Sequence, residues 1–171
     1  MIKVLGALMI VGGTTAWGIG SVLKMKNRVL TIRALIAALD MIRDEICINL
    51  TPLMRVMEMA AGTAPAPAAD FFRTVSNKSG NMAQQGFYGI WMEALEESRA
   101  MTIGDEERDV LIRLGSGLGK YDSESQGRVI ASAKKNLERI ESRTEKERAA
   151  NSKLHAFLGV AAGMMAVVVL I

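Results

Sequence analysis

Residues 29–49 read VLTIRALIAALDMIRDEICIN, and their apolar positions decide the fold. Val29, Ile32, Leu35, Ile36, Leu39, Ile42 and Ile46 recur at three- and four-residue steps, the period of one face of an α-helix. Arg33, Asp40, Arg43, Asp44 and Glu45 fall between them. Acids and bases mixed on a helix surface predict solvated ion pairs rather than a carboxylate site. Cys47 lies near the stripe, and with no His or Asn partner in view it reads as a buried structural thiol.

The same period continues downstream, and no run alternates with period two, so the chain is predicted to be all-α. Thr51 is a good N-cap and Pro52 fits a first helical position, so Thr51-Pro52-Leu53 opens a short helix to about Ala61. GTAPAP, residues 62–67, is a loop. A third helix from Ala68 carries Phe71, Phe72 and Val75. A fourth, over 83–100, carries Phe87, Ile90, Trp91, Met92 and Leu95, with Trp91 a core anchor. Thr102 is the expected cap of a fifth, with Asp105 and Glu106 in its first turn, favourable for the helix dipole. Val110, Leu111 and Leu114 are its apolar residues, and a glycine-rich turn follows them. Ser123-x-x-Gln126 has capping-box spacing and opens the last helix, which carries Ile130, Ala133, Leu137 and Ile140. Residues 142–153 are polar on all faces and read as a solvated stalk.

Outward from this centre the composition changes abruptly. Among 171 residues, 50% are hydrophobic and 23% charged, yet the mean hydropathy is +0.20. Segregation explains the combination. Residues 4–23, VLGALMIVGGTTAWGIGSVL, and residues 155–171, HAFLGVAAGMMAVVVLI, carry no Asp, Glu, Lys or Arg. Twenty helical residues span roughly 30 Å, the thickness of a bilayer's hydrocarbon core. Lys24, Lys26 and Arg28 follow the first run, and no A-x-A-like cleavage site does, which favours a retained helix over a signal peptide. The expected organisation is a transmembrane helix over 1–23, a cytoplasmic six-helix bundle over 24–154 and a second transmembrane helix over 155–171, with both termini across the membrane. Gly12, Ala16 and Gly20 in the first run, and Gly159 and Gly163 in the second, are spaced for close helix packing in lipid. His155 reads as an interfacial polar residue.

Of the 21 Lys and Arg only Lys3 lies outside 24–154, and all 18 Asp and Glu lie inside, so the middle carries two more bases than acids. The pI of 9.2 therefore reflects membrane flanks, and no basic stripe with interleaved aromatics points to nucleic acid. One cysteine and one histidine exclude a disulfide framework and a His-rich metal centre. GSGLGK, residues 115–120, departs from a phosphate-binding loop. Leu114 stands where the first glycine belongs, Tyr121 follows the lysine, and no strand precedes. No catalytic, cofactor or metal constellation is found, so the chain is expected not to be an enzyme.

Several features together resemble the stage III sporulation protein AB family, over essentially the whole chain. They are Arg33-Ala34-Leu35 with Glu45; Thr51, Pro52 and Leu53; Trp91; Leu114-Gly115 and Leu118-Gly119 with Asp122 and Gln126; Lys153; and a Gly159-rich C-terminal run. That family is similar to the cytoplasmic domain of type II secretion and type IV pilus platform proteins. The resemblance implies a non-enzymatic scaffold in the channel joining mother cell and forespore, seated in the outer forespore membrane. It implies as partners a hexameric secretion-type ATPase, sporulation protein AA, and other channel membrane proteins, with homo-oligomerisation as a way to supply the second domain of the secretion platform. Exposed residues around the two matched turns are the expected contacts. Two alternatives stand beside it: a platform component of a pilus or type II secretion machine, and a membrane-anchored nucleotide-binding enzyme using GSGLGK.

Overall fold

In the computed structural model the backbone is described for residues 2–98, 101–120 and 122–170, and side chains for 23–98, 101–120 and 122–150. Six α-helices, and no strand among the described residues, make up the chain. They are α1 (Ile2–Cys47), α2 (Leu53–Thr63), α3 (Ala68–Asn77), α4 (Met82–Glu97), α5 (Asp105–Gly117) and α6 (Ser123–Leu170), with a 3-10 turn at Ser79–Asn81. The chain forms two compact units, residues 28–142 and the paired helix ends 1–27 and 143–171. α1 and α6 run without a helical break through the boundaries expected at 23/24 and 154/155.

Among the described residues no helix is long and apolar enough to cross a membrane. The expected packing positions Gly12, Ala16, Gly20, Gly159 and Gly163, with His155 and Lys153, lie outside the residues whose side chains are described. Within 142–150 the expectation of full solvation fails at Thr144, which is buried.

The unit formed by residues 28–142 has one core. Ile32, Leu35, Leu39 and Ile42 of the α1 stripe are buried, and they meet Phe71 and Phe72 of α3, Trp91 of α4, Leu111 and Leu114 of α5, and Leu137 of α6 in one cluster. Among the described residues Trp91 is the largest fully buried side chain, and its indole N–H donates to the Leu111 carbonyl at 2.9 Å. Phe71 meets it edge-on, with centroids 4.7 Å apart at 88°, the arrangement that ring quadrupoles favour. Two of the charges on α1 reach across to α6. Asp40 accepts two hydrogen bonds from Lys134 of α6 at 2.6 and 2.8 Å, and Arg33 donates to Glu141 at 2.7 Å. The Asp40 carboxylate raises the Lys134 pKa above the ordinary lysine value.

Several helix ends differ from the sequence reading. α4 is not regular throughout: Gly86, at φ 66° and ψ 172°, interrupts it one residue before the buried Phe87. α5 begins after Gly104, not at Thr102. Its amino end is held by Glu107, whose Oε2 accepts the Gly104 N–H at 2.9 Å. It also runs on through Gly115 to Gly117, so the glycine-rich turn is shorter than expected. A Cβ on Gly115 would lie 2.3 Å from Trp91 Cδ1, and one on Gly117 would lie 2.8 Å from Val129 Cγ1. These two glycines are therefore contact surfaces of a helix, not part of a phosphate cradle.

Candidate functional site: one end of the bundle

The two turns singled out in the sequence come together. α1 ends at Cys47, and its last turn is extended by Ile48 N–H and Asn49 N–H, which both donate to the Asp44 carbonyl. Glu45 then closes the loop. Its Oε1 accepts from Asn49 Nδ2 at 2.9 Å, its Oε2 accepts from Thr51 Oγ1 at 2.7 Å, and its carbonyl accepts the Thr51 N–H at 2.9 Å. Thr51 is therefore not the cap of α2. Pro52 occupies that position and makes no side-chain capping bond. The loop thrusts Ile48 and Leu50 outward, 72% and 69% exposed, and holds Leu50 at φ 51°. A leucine in the left-handed region costs roughly 1–2 kcal/mol.

Leu53, first residue of α2, packs against the second turn. Gly119 sits there at φ 75°, and a Cβ on it would lie 3.1 Å from Leu53 Cδ2 and 3.5 Å from Phe87 Cβ. Gln126 reaches back from α6 to this turn, its Oε1 accepting the Gly119 N–H at 3.1 Å. The expected Ser123–Gln126 capping box is thus replaced by a different device. Asp122 caps α6, its Oδ1 accepting the Ser125 N–H and its Oδ2 the Ser125 hydroxyl, both at 2.9 Å. The Ser125 N–H, and after it the Ser125 hydroxyl, holds the Asp122 carboxyl below the usual aspartate value. Next to the cap, Cys47 Sγ–H donates to the Ser123 carbonyl at 3.3 Å, and a Cβ on Gly127 would lie 2.6 Å from that sulfur. Cys47 is half-buried, not fully buried as expected.

Thr51, Pro52, Leu53, Gly119, Asp122 and Gln126 therefore share one end of the bundle. Leu114 and Gly115 do not: they are buried on α5, with Gly115 against Trp91. Lys120 lies 5.8 Å from the centroid of the Tyr88 ring. Sequence reasoning missed Ile48 and Leu50 as exposed groups. Ile48 carried a signal, since it falls out of register with the α1 stripe, whereas Leu50, four residues after Ile46, is in register and is exposed because α1 ends at Cys47. It also missed Glu45 as the clasp of the loop and Glu107 as a buried charge. Among the described residues no group of three or more His, Cys, Asp or Glu could hold a metal ion.

A family model described as Stage III sporulation protein AB matches residues 3–171. The chain belongs to that family. Stage III sporulation protein AB of Bacillus subtilis (strain 168) is 30% identical over 171 residues, covering 99% of each chain. A solved structure of Stage III sporulation protein AB superimposes with a TM-score of 0.66 at 26% identity, covering 72% of this chain and 98% of its own. Family membership agrees with the resemblance carried by the Thr-Pro-Leu and Leu-Gly turns.

Proposed function

We propose that the chain is a non-enzymatic membrane scaffold of the sporulation channel joining mother cell and forespore. In this reading residues 1–23 and 155–171 span the outer forespore membrane. The helical unit faces the mother-cell cytoplasm and couples a secretion-type ATPase, sporulation protein AA, to the other channel membrane proteins. The observation that carries the reading is the bundle end just described. The Thr51–Leu53 and Gly119–Gln126 turns converge there, and Ile48 and Leu50 are presented to solvent beside them. Large apolar side chains exposed next to a tightly built turn suit a protein contact.

The test is association of the full-length chain, in neutral detergent, with the purified ATPase. The wild type should bind, and Ile48→Asp with Leu50→Asp should abolish binding while leaving helical content unchanged. Absence of association by the wild type overturns the ATPase coupling. Association unaffected by the double variant moves the contact away from this end. Topology has its own test: a reporter fused after Ile171 should be active only outside the cytoplasm.

A further inference from the structure

Two depressions flank the first turns of α6. One, of about 300 Å³, lies between α1 and α6 and is lined by Arg43, Cys47, Gly127 and Arg128 among others. The second, of about 350 Å³, lies between α5 and α6, with Arg113 and Arg128 above Val110, Leu114, Val129 and Ala133. Arg128 lines both, so the two depressions adjoin across one side chain.

Their charge is one-sided. Three arginines from three helices face these depressions, and Glu124 is the single carboxylate lining either of them. Glu124 is engaged with Arg128 at 2.6 Å, in a pair whose side chains are 64% and 84% exposed for Arg128 and Glu124. Exposed pairs of this kind contribute little and exchange partners readily. Arg43 and Arg113 are exposed and have no carboxylate partner among the described residues. The chain therefore leaves the guanidinium forks of Arg43 and Arg113 without a carboxylate, beside that of Arg128, which is held at the surface by Glu124 and the Ser125 hydroxyl, around concave ground with an apolar floor. Guanidinium forks match carboxylates in geometry. A flat anionic membrane could meet the arginines but could not enter the depressions, whereas the side chains of a polypeptide could.

We propose that the two depressions form one docking groove for an acidic, amphipathic segment of a partner polypeptide. Its carboxylates engage Arg43, Arg113 and Arg128, and its apolar side chains seat between α5 and α6. Neither Ile48 nor Leu50 lines the two depressions, and the inference does not depend on the ATPase being the partner.

Cys47 supplies a reporter, because it is the only cysteine of the chain, is half-buried and lines the groove. The experiment measures the rate of Cys47 alkylation by N-ethylmaleimide in the full chain in neutral detergent. The probe is a synthetic helical peptide of Leu and Glu, about 18 residues or five turns long. The Leu/Glu peptide should slow alkylation, and the same peptide with Gln for Glu should not. Arg43→Ala, Arg113→Ala and Arg128→Ala should each weaken the protection by roughly fivefold in peptide concentration, the upper end for an exposed ion pair. Arg113→Ala is the decisive variant, since Arg113 lines only the depression that Cys47 does not. All three arginines are exposed, so circular dichroism should show an unchanged fold. The proposal is overturned if the Glu peptide gives no protection, or if the Gln peptide protects equally. It is also overturned if Arg113→Ala protects like the wild type, or if phosphatidylglycerol vesicles protect where the peptide does not.

Discussion

Glu107 is fully buried, and its two carboxylate oxygens accept Nε and Nη2 of Arg28 at 2.7 and 3.0 Å. The same carboxylate also accepts the Gly104 N–H, so one buried charge fastens the start of α1's core stripe to the amino end of α5. Breaking a buried pair leaves an uncompensated charge. Arg28→Ala should destabilise the chain by about 3 kcal/mol, the low end for such pairs because the Arg28 side chain is 27% exposed. Removing both partners, with Glu107→Met beside Arg28→Met, should cost less than Arg28→Ala alone. Denaturant unfolding of the two variants checks the order, and equal costs would show that the pair is not coupled.

Gly115 should tolerate no side chain. Trp91 is fixed by its hydrogen bond to Leu111 and its contact with Phe71, so it cannot yield to a Cβ placed 2.3 Å away. Gly115→Ala should therefore destabilise by about 1–3 kcal/mol, the cost of overpacking a core. Gly62 of α2 is the contrasting position, helical with nothing within 4 Å. Gly62→Ala should stabilise by about 0.5–1 kcal/mol, the helix-propensity difference. Thermal unfolding should move in opposite directions for the two variants, and a shift of the same sign would contradict the packing described for Gly115.

Leu50 combines exposure with an unfavourable backbone. Asparagine accepts the left-handed region more readily than leucine. Leu50→Asn should accordingly raise stability, by about 0.5–1 kcal/mol, part of the left-handed penalty. It should also weaken association with the ATPase. A variant that is more stable and binds as well as the wild type would separate Leu50 from the contact.

Asp122 should make the amino end of α6 sensitive to acid. Its pKa is lowered in the folded chain, chiefly by the Ser125 N–H. The stabilisation is therefore fully present above the ordinary aspartate value, and it is lost as pH falls through that value towards the depressed one. Protection of the Ser125 amide, its exchange relative to the intrinsic rate at the same pH, should fall on acidification across that window in the wild type. Asp122→Ala should show low protection at every pH, and wild-type protection insensitive to acid would contradict the cap.

The helical class, the core stripe of α1 and the anchoring role of Trp91 were legible in the sequence because periodicity reports burial directly. Helix starts were less legible, since capping is a competition among neighbours. Thr51 has the right chemistry for a cap, but Glu45 takes its hydroxyl; Ser123 has the right spacing, but Asp122 and Gln126 satisfy the local amides. Thr102 loses to Gly104 because Glu107, held by Arg28, is aimed at the Gly104 amide. That arrangement joins residues 79 positions apart, a separation no local pattern reveals. For the site, both turns were named from the sequence, but their meeting depends on Leu53 packing against Gly119. Gly115 was grouped with the turn because a glycine-rich run suggests a loop, whereas its missing side chain makes room for an indole.

The Glu45 clasp has an entropic consequence. Side-chain bonds to Asn49 and Thr51 and a backbone bond to Thr51 restrict the segment that carries Ile48 and Leu50 before anything touches it. A surface closing over those two side chains need not freeze a wandering loop, so little of its contact energy is spent on ordering. Loosening the clasp, as in Glu45→Ala, would charge that ordering to the association itself while leaving every contacting atom in place.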